Sequence, residues 1–134
     1  MNITFINSDR PDIDAQLKKL ESAFEGVENA KGEFKLLCDA VKSKRAGMYH
    51  LKGDGFDVQF VGCPVDDGYQ LWALTGVGYI AAVKKILNIV KQRGFRFVCG
   101  HSVKKGIPRM LKQFNADISM QQNETVHTLY FKEK

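Results

Sequence analysis

A mixed α/β fold with a largely antiparallel sheet is what this sequence predicts. Three observations carry the prediction. Apolar residues recur at helical spacing in two early segments and again after residue 78. Between them lie three strand-like runs separated by turns rich in Gly and Asp. A strand, helix and strand then follow in immediate succession, which requires a crossover and a parallel pair. The chain has 134 residues, 44% apolar and 26% charged. That is the size and mix of one globular domain over residues 1–134, able to build a core without disulfides or structural metal.

Residues 2–6 alternate, with Ile3 and Phe5 set against Asn2, Thr4 and Ile6, and predict an opening strand. Ser8, Asp9 and Pro11 signal a helix start, and Ile13, Leu17, Leu20 and Phe24 continue it to Gly26. A second helix follows, with Phe34, Leu37, Cys38 and Val41 as its stripe and Lys42, Lys44 and Arg45 suited to its C-terminal dipole. Strands are predicted at 47–51, 56–61 and 70–74. Asp54-Gly55 closes the first hairpin, and Pro64 to Gly68 forms a longer second turn. Tyr79, Val83, Ile86, Leu87 and Val90 mark one face of a helix running to Arg93, with Gly94 as its natural C′ residue. Phe95, Phe97 and Cys99 form a strand expected to pair parallel with 70–74. Ile107, Met110, Leu111 and Phe114 define a short fourth helix with Pro108 in its first turn. Ile118 and Met120, then Val126, Thr128 and Tyr130, close the chain as a hairpin turning near Asn123-Glu124.

Charge is divided unevenly. Residues 1–67 hold 9 Lys/Arg and 12 Asp/Glu, for a net −3, and residues 68–134 hold 11 and 3, for a net +8. No acidic residue lies between Gly68 and Ala116, so one face of the fold is expected to be positive, either as a solvated surface or as a contact for an anionic partner. Nucleic acid fits the charge, but no helix-turn-helix, aromatic RNA-binding run or zinc finger accompanies it. Cys38, Cys63 and Cys99 are odd in number and lack CxxC spacing, which points away from a disulfide framework or zinc site and towards a reducing compartment. The first twenty residues hold no apolar signal core, and no apolar run is long enough to span a bilayer. A soluble, cytoplasmic protein is expected.

The sharpest local feature is Leu74-Thr75-Gly76-Val77-Gly78-Tyr79, read as a glycine-containing turn between strand and helix. Amides of Gly76, Val77, Gly78 and Tyr79 at a helix N-terminus suit a phosphate or pyrophosphate, although Gly-x-Gly there also serves as a plain tight turn. The segment is neither a Walker loop nor a dinucleotide fingerprint.

Element order and this motif together resemble the GCN5-related N-acetyltransferase family over the whole chain. In that family the turn after the fourth strand reads Arg/Gln-x-x-Gly-x-Gly/Ala and holds the pyrophosphate of acyl-CoA. Here Ala73-Leu74-Thr75-Gly76-Val77-Gly78 keeps both glycines and loses the first side chain. Lys91-Gln92-Arg93-Gly94-Phe95 is similar to the family's next hallmark. Met110 to Ala116 occupies the place of its last helix, with Leu111 where a tyrosine acts as general acid. Trp72-Ala73-Leu74-Thr75-Gly76 and Leu111-Lys112-Gln113-Phe114-Asn115-Ala116 also resemble segments of the small acetyltransferase-like proteins of tailed phages, internal virion proteins and their relatives.

The resemblance implies acyl transfer from acetyl-CoA or another acyl-CoA to an amine acceptor. It places Leu74 and Thr75 amides against the thioester carbonyl, and leaves Gly76 to Tyr79 with Lys84, Lys85, Lys104 and Lys105 for the phosphates. His101, just past the fifth strand, is the candidate base or acid, or else a loop histidine facing solvent. The alternative is a catalytically silent structural or assembly protein of a virion, whose positive face meets virion proteins or packaged DNA. Asp66 and Asp67 read either as recruiters of a cationic amine or as turn formers, and turn formation is the stronger reading. Cys99 reads as a small core residue, Trp72 as packing or groove lining, and His50 and His127 as strand residues outside any metal constellation.

Overall fold

The computed structural model describes residues 2–26, 29–102, 117–121 and 124–131. Its elements are β1 (Asn2–Ile6), α1 (Ile13–Lys18), a 3-10 turn (Glu21–Phe24), α2 (Ala30–Lys42), β2 (Gly47–Gly53), β3 (Phe56–Val65), β4 (Gly68–Val77), α3 (Tyr79–Gln92), β5 (Phe97–Ser102), β6 (Asp117–Gln121) and β7 (Glu124–Tyr130). The strands form one seven-stranded sheet in the order β1-β2-β3-β4-β5-β7-β6. Every neighbouring pair is antiparallel except β4 with β5, the pair joined by the α3 crossover. The predicted fold class is therefore observed. The predicted fourth helix, with Leu111, lies outside the described residues.

Two apolar layers sandwich the sheet. On one face Leu17, Leu20 and Phe24 join Leu37 and Val41 over Ile6, Met48, Val61 and Ala73. On the other, Ala82, Val83, Ile86, Leu87 and Val90 of α3 pack on Leu51, Val58, Phe60 and Leu74. The period-2 alternation of β3 supplies both layers, Val58 and Phe60 facing α3 while Val61 faces α2.

Several boundaries differ from the sequence reading for identifiable reasons. The first helix is not continuous to Phe24: Lys19 N–H and Leu20 N–H bond three residues back, to Gln16 and Leu17, so α1 tightens and stops. Ile13, Leu17, Leu20 and Phe24 are nonetheless all buried. In β1 the apolar pair faces outward, Ile3 43% and Phe5 58% exposed, while Ile6 turns to the core. The β3–β4 turn is not a long loop; only Asp66 and Asp67 lie between the strands, with Asp66 at φ 50°. Most consequential is β4, which runs on through Gly76 and Val77 and leaves Gly78 alone before α3.

Candidate functional site

The register between β3 and β4 steps from Val61↔Ala73 to Gly62↔Leu71, so Trp72 is an inserted residue, a β-bulge. At the same place β4 parts from β5. Their parallel pairing covers Tyr69 to Leu71 against Val98 to Gly100. Beyond it β4 keeps only β3 as partner through Val77, and β5 keeps β7 through Ser102. A wedge opens between the two strands, with Ala73 to Val77 on one side, His101 and Ser102 on the other, and the start of α3 at its end.

The hairpins determine which backbone groups look into the wedge. Asp54-Gly55 is a two-residue loop closed by the pair Gly53↔Phe56. In such a hairpin the closing pair exchanges hydrogen bonds, and the pattern then alternates along the strand. Phe56, Val58 and Phe60 thus turn their polar groups to β2, and Asp57, Gln59 and Val61 turn theirs to β4. Thr75, opposite Gln59, spends its amide on β3; Leu74, opposite Phe60, directs its amide and carbonyl into the wedge. The second hairpin, closed by Val65↔Gly68, gives the same parity up to the bulge. Of the two amides named from the sequence, the register turns Leu74 into the wedge and Thr75 towards β3.

The two glycines have a packing cause that the sequence did not reveal. A Cβ on Gly76, at φ 133°, would run into the Asp57 carbonyl and the Val58 Cα of β3. One on Gly78, at φ 69°, would strike the Gly55 carbonyl and Phe56. Gly76 and Val77 are ladder residues, paired with Val58 and Asp57, rather than part of a turn. The helix-end donors therefore move forward along the chain. Ala82 N–H makes the first intrahelical bond, to Gly78 O at 3.0 Å. The amides of Ile80 and Ala81 thus have no carbonyl within α3 to bond, and they carry the positive end of its dipole. Lys84 is exposed one turn further on. His101 sits at the end of β5, opposite Val126. Its side chain, Lys104 and Lys105 fall outside what is described.

The face toward α1 carries a polar row that the sequence did not bring together. Thr4, His50, Gln59 and Thr75 lie side by side across β1 to β4. Thr75 Oγ1 is 3.0 Å from Ser22 Oγ, which pins the 3-10 turn over β4. His50 Nε2 lies 2.6 Å from Asp57 Oδ1. That hydrogen bond holds the Asp57 carboxyl below its ordinary pKa. Asp66 and Asp67 lie at the opposite end of β4 from Gly78, about 30 Å away for a ten-residue strand, so they do not serve this wedge. Burial pushes the Cys99 thiol up in pKa, the reverse of an activated nucleophile. Trp72 is half-buried against the α1–α2 layer.

The overall fold is shared with known structures. An acetyltransferase from Bacillus subtilis, solved in complex with CoA, matches at TM-score 0.65 and 11% identity, covering 98% of this chain and 99% of its own. The PaiA N-acetyltransferase of Thermoplasma acidophilum, also in complex with coenzyme A, matches at 0.56 and 9%, covering 98% and 100%. A probable acetyltransferase from Staphylococcus epidermidis matches at 0.58 and 8%, covering 97% of each chain. The chain has the GCN5-related N-acetyltransferase fold. No protein-family model matches the sequence, and no curated protein does. The likeness to these structures is thus one of fold, at 8–11% sequence identity. Among the described residues no helix is long and apolar enough to cross a membrane, and no three His, Cys, Asp or Glu residues gather as metal ligands would.

Proposed function

We propose that the chain binds an acyl-CoA in the β4–β5 wedge and transfers the acyl group to an amine. The observation that carries this reading is the parting of β4 from β5 at the Trp72 bulge, which leaves the Leu74 amide facing a gap. Extended amide-bearing chains suit such an edge because they supply the missing ladder partner. The thioester carbonyl takes the Leu74 N–H, and the phosphates lie against the Ile80 and Ala81 amides with Lys84 beside them. Gly76, Val77, Gly78 and Tyr79 carry the backbone past the ligand, and Lys104 and Lys105 supply further positive charge. His101 takes the proton from the attacking amine. Nitrogen then bonds to the carbonyl carbon, the C–S bond breaks, and the thiolate collects a proton. Leu111 has no hydroxyl to give that proton, so water supplies it. A positioned acid is worth about 10²–10⁴ in rate, and turnover is expected to be slow by that factor.

Calorimetric titration with acetyl-CoA tests the binding step. Ala81→Glu is the informative variant, because an acidic residue in the first turn favours the helix while repelling a phosphate. Acetyl-CoA affinity is expected to fall about tenfold, a change of ~1.4 kcal/mol, with the thermal midpoint unchanged or slightly higher. No heat at millimolar acetyl-CoA with the wild type would remove the reading. Thiol release with a panel of primary amines tests transfer, and His101→Gln is expected to abolish it while acetyl-CoA still binds.

A second reading, a silent particle-associated role among virion proteins, draws on two residues. Ala73 is buried at 7% exposure against the α2 layer, where the family's phosphate-binding arginine or glutamine would stand, and Leu111 replaces the acid. Co-sedimentation with purified particles or assembly intermediates, with no thiol release for any amine, is its expected signature, and absence from both would remove it.

A further inference from the structure

On the α3 side of the sheet, towards its β1 edge, lies a groove of about 390 Å³. Ile86, Ile89 and Val90 of α3 form one wall, Phe60 and Tyr49 the floor, and Phe95 one end. Arg93 also lines it, and among the described residues no acidic one does. Arg93 caps the C-terminal end of α3, fifteen residues and about 22 Å from Gly78, so this cavity is separate from the β4–β5 wedge. On the strand side Gly62 makes room for the Tyr69 hydroxyl and Gly47 for the Tyr49 ring, which a Cβ at either position would meet.

We propose that this groove binds a medium-chain carboxylate, its alkyl chain along α3 and its head group on the Arg93 guanidinium. Three features select that class. The walls are aliphatic and aromatic, as in sites that hold alkyl chains, and the volume falls in the range of small-ligand pockets. From Ile86 to Arg93 the wall runs seven residues of helix, about 10 Å, the reach of an extended medium chain. The single full charge lining the groove is positive, and Arg93 has no ion pair among the described residues, so a planar anion meets an unspent donor fork. Tyr69 lines the strand side of the groove, where burial pushes its pKa up and leaves it an uncharged phenol. The carbonyl end of α3 disfavours an anion, so the head group depends on the guanidinium itself.

The test follows the methyl signals of Ile86, Ile89 and Val90 by NMR during titration with decanoate, and separately with decanol, which keeps the chain and lacks the charge. Saturable one-site shifts with decanoate are expected. Arg93→Gln is expected to weaken decanoate about tenfold while leaving decanol within about twofold. Ile89→Trp, which fills the groove from an already half-buried position, is expected to abolish both with acetyl-CoA binding unchanged. Three results would overturn the proposal: no saturable shift below the micelle limit, equal decanoate affinity in Arg93→Gln, or groove methyls already protected in a sedimenting dimer.

Discussion

Gly78 answers to geometry before it answers to any ligand. At φ 69° it occupies the left-handed region, and the Gly55 carbonyl fills the space a side chain would need. An L-residue there costs roughly 1–2 kcal/mol for the backbone alone, and the collision adds to it. Gly78→Ala is therefore expected to lower the urea midpoint by at least ~2 kcal/mol of stability at unchanged m-value; an unaltered midpoint would mean the β2–β3 turn does not approach α3 so closely. Asp12 shows a different residue-level constraint. The Arg10 guanidinium, 2.8 Å away, and then the Gln16 amide hold its carboxyl at about 2, below the ordinary 3.8. Because the folded value is depressed, this contribution is present above about pH 4 and is withdrawn as pH falls through about 2. Arg10→Gln is expected to move the Asp12 NMR titration back up towards 3.8, and a wild-type midpoint already there would show the pair does not persist in solution.

Among the elements, β4 shows both what the sequence discloses and what it hides. Its existence, its hairpin with β3 and its parallel pairing with β5 were legible, because alternation, Asp-Gly turn chemistry and a helical crossover each have a distinct residue signature. The Trp72 bulge had none: one extra residue leaves an apolar run looking continuous, and only a partner's register exposes it. For the same reason the sequence points to phosphate-binding amides in a glycine turn at residues 76–79 rather than in the first turn of α3. Gly76 looked like a terminator, yet it lies inside the strand because β3 comes too close for a Cβ. The His50–Asp57 pair was equally hidden, since seven residues apart in sequence become diagonal neighbours only once the hairpin register is known. The alternation argument makes a direct prediction at this scale. In the free protein the Thr75 amide is expected to exchange slowly and the Leu74 amide quickly, and acetyl-CoA is expected to slow Leu74 selectively. Equal protection at both positions without ligand would mean that β4 and β5 do not part at the bulge.

For the molecule as a whole, the sheet separates two apolar layers that share strands but no side chains. Leu37 is fully buried between α2 and the sheet, and Ile86 is 2% exposed beneath α3 on the opposite face. A helix packs about 10 Å from a sheet's mid-plane on each side, so the two side chains lie beyond direct contact and have no common neighbour. Leu37→Ala removes a large buried group and is expected to cost about 2–5 kcal/mol, and Ile86→Val one methylene, about 0.5–1.5 kcal/mol. Each strand of the central meander presents residues to both layers, Val58 and Phe60 to one and Val61 to the other, so neither layer can melt while the other keeps its floor. The double variant is therefore expected to unfold in one transition, with the two costs adding to within ~0.5 kcal/mol. Two separate transitions, with Leu37→Ala shifting only the first, would show instead that the α1–α2 layer unfolds alone.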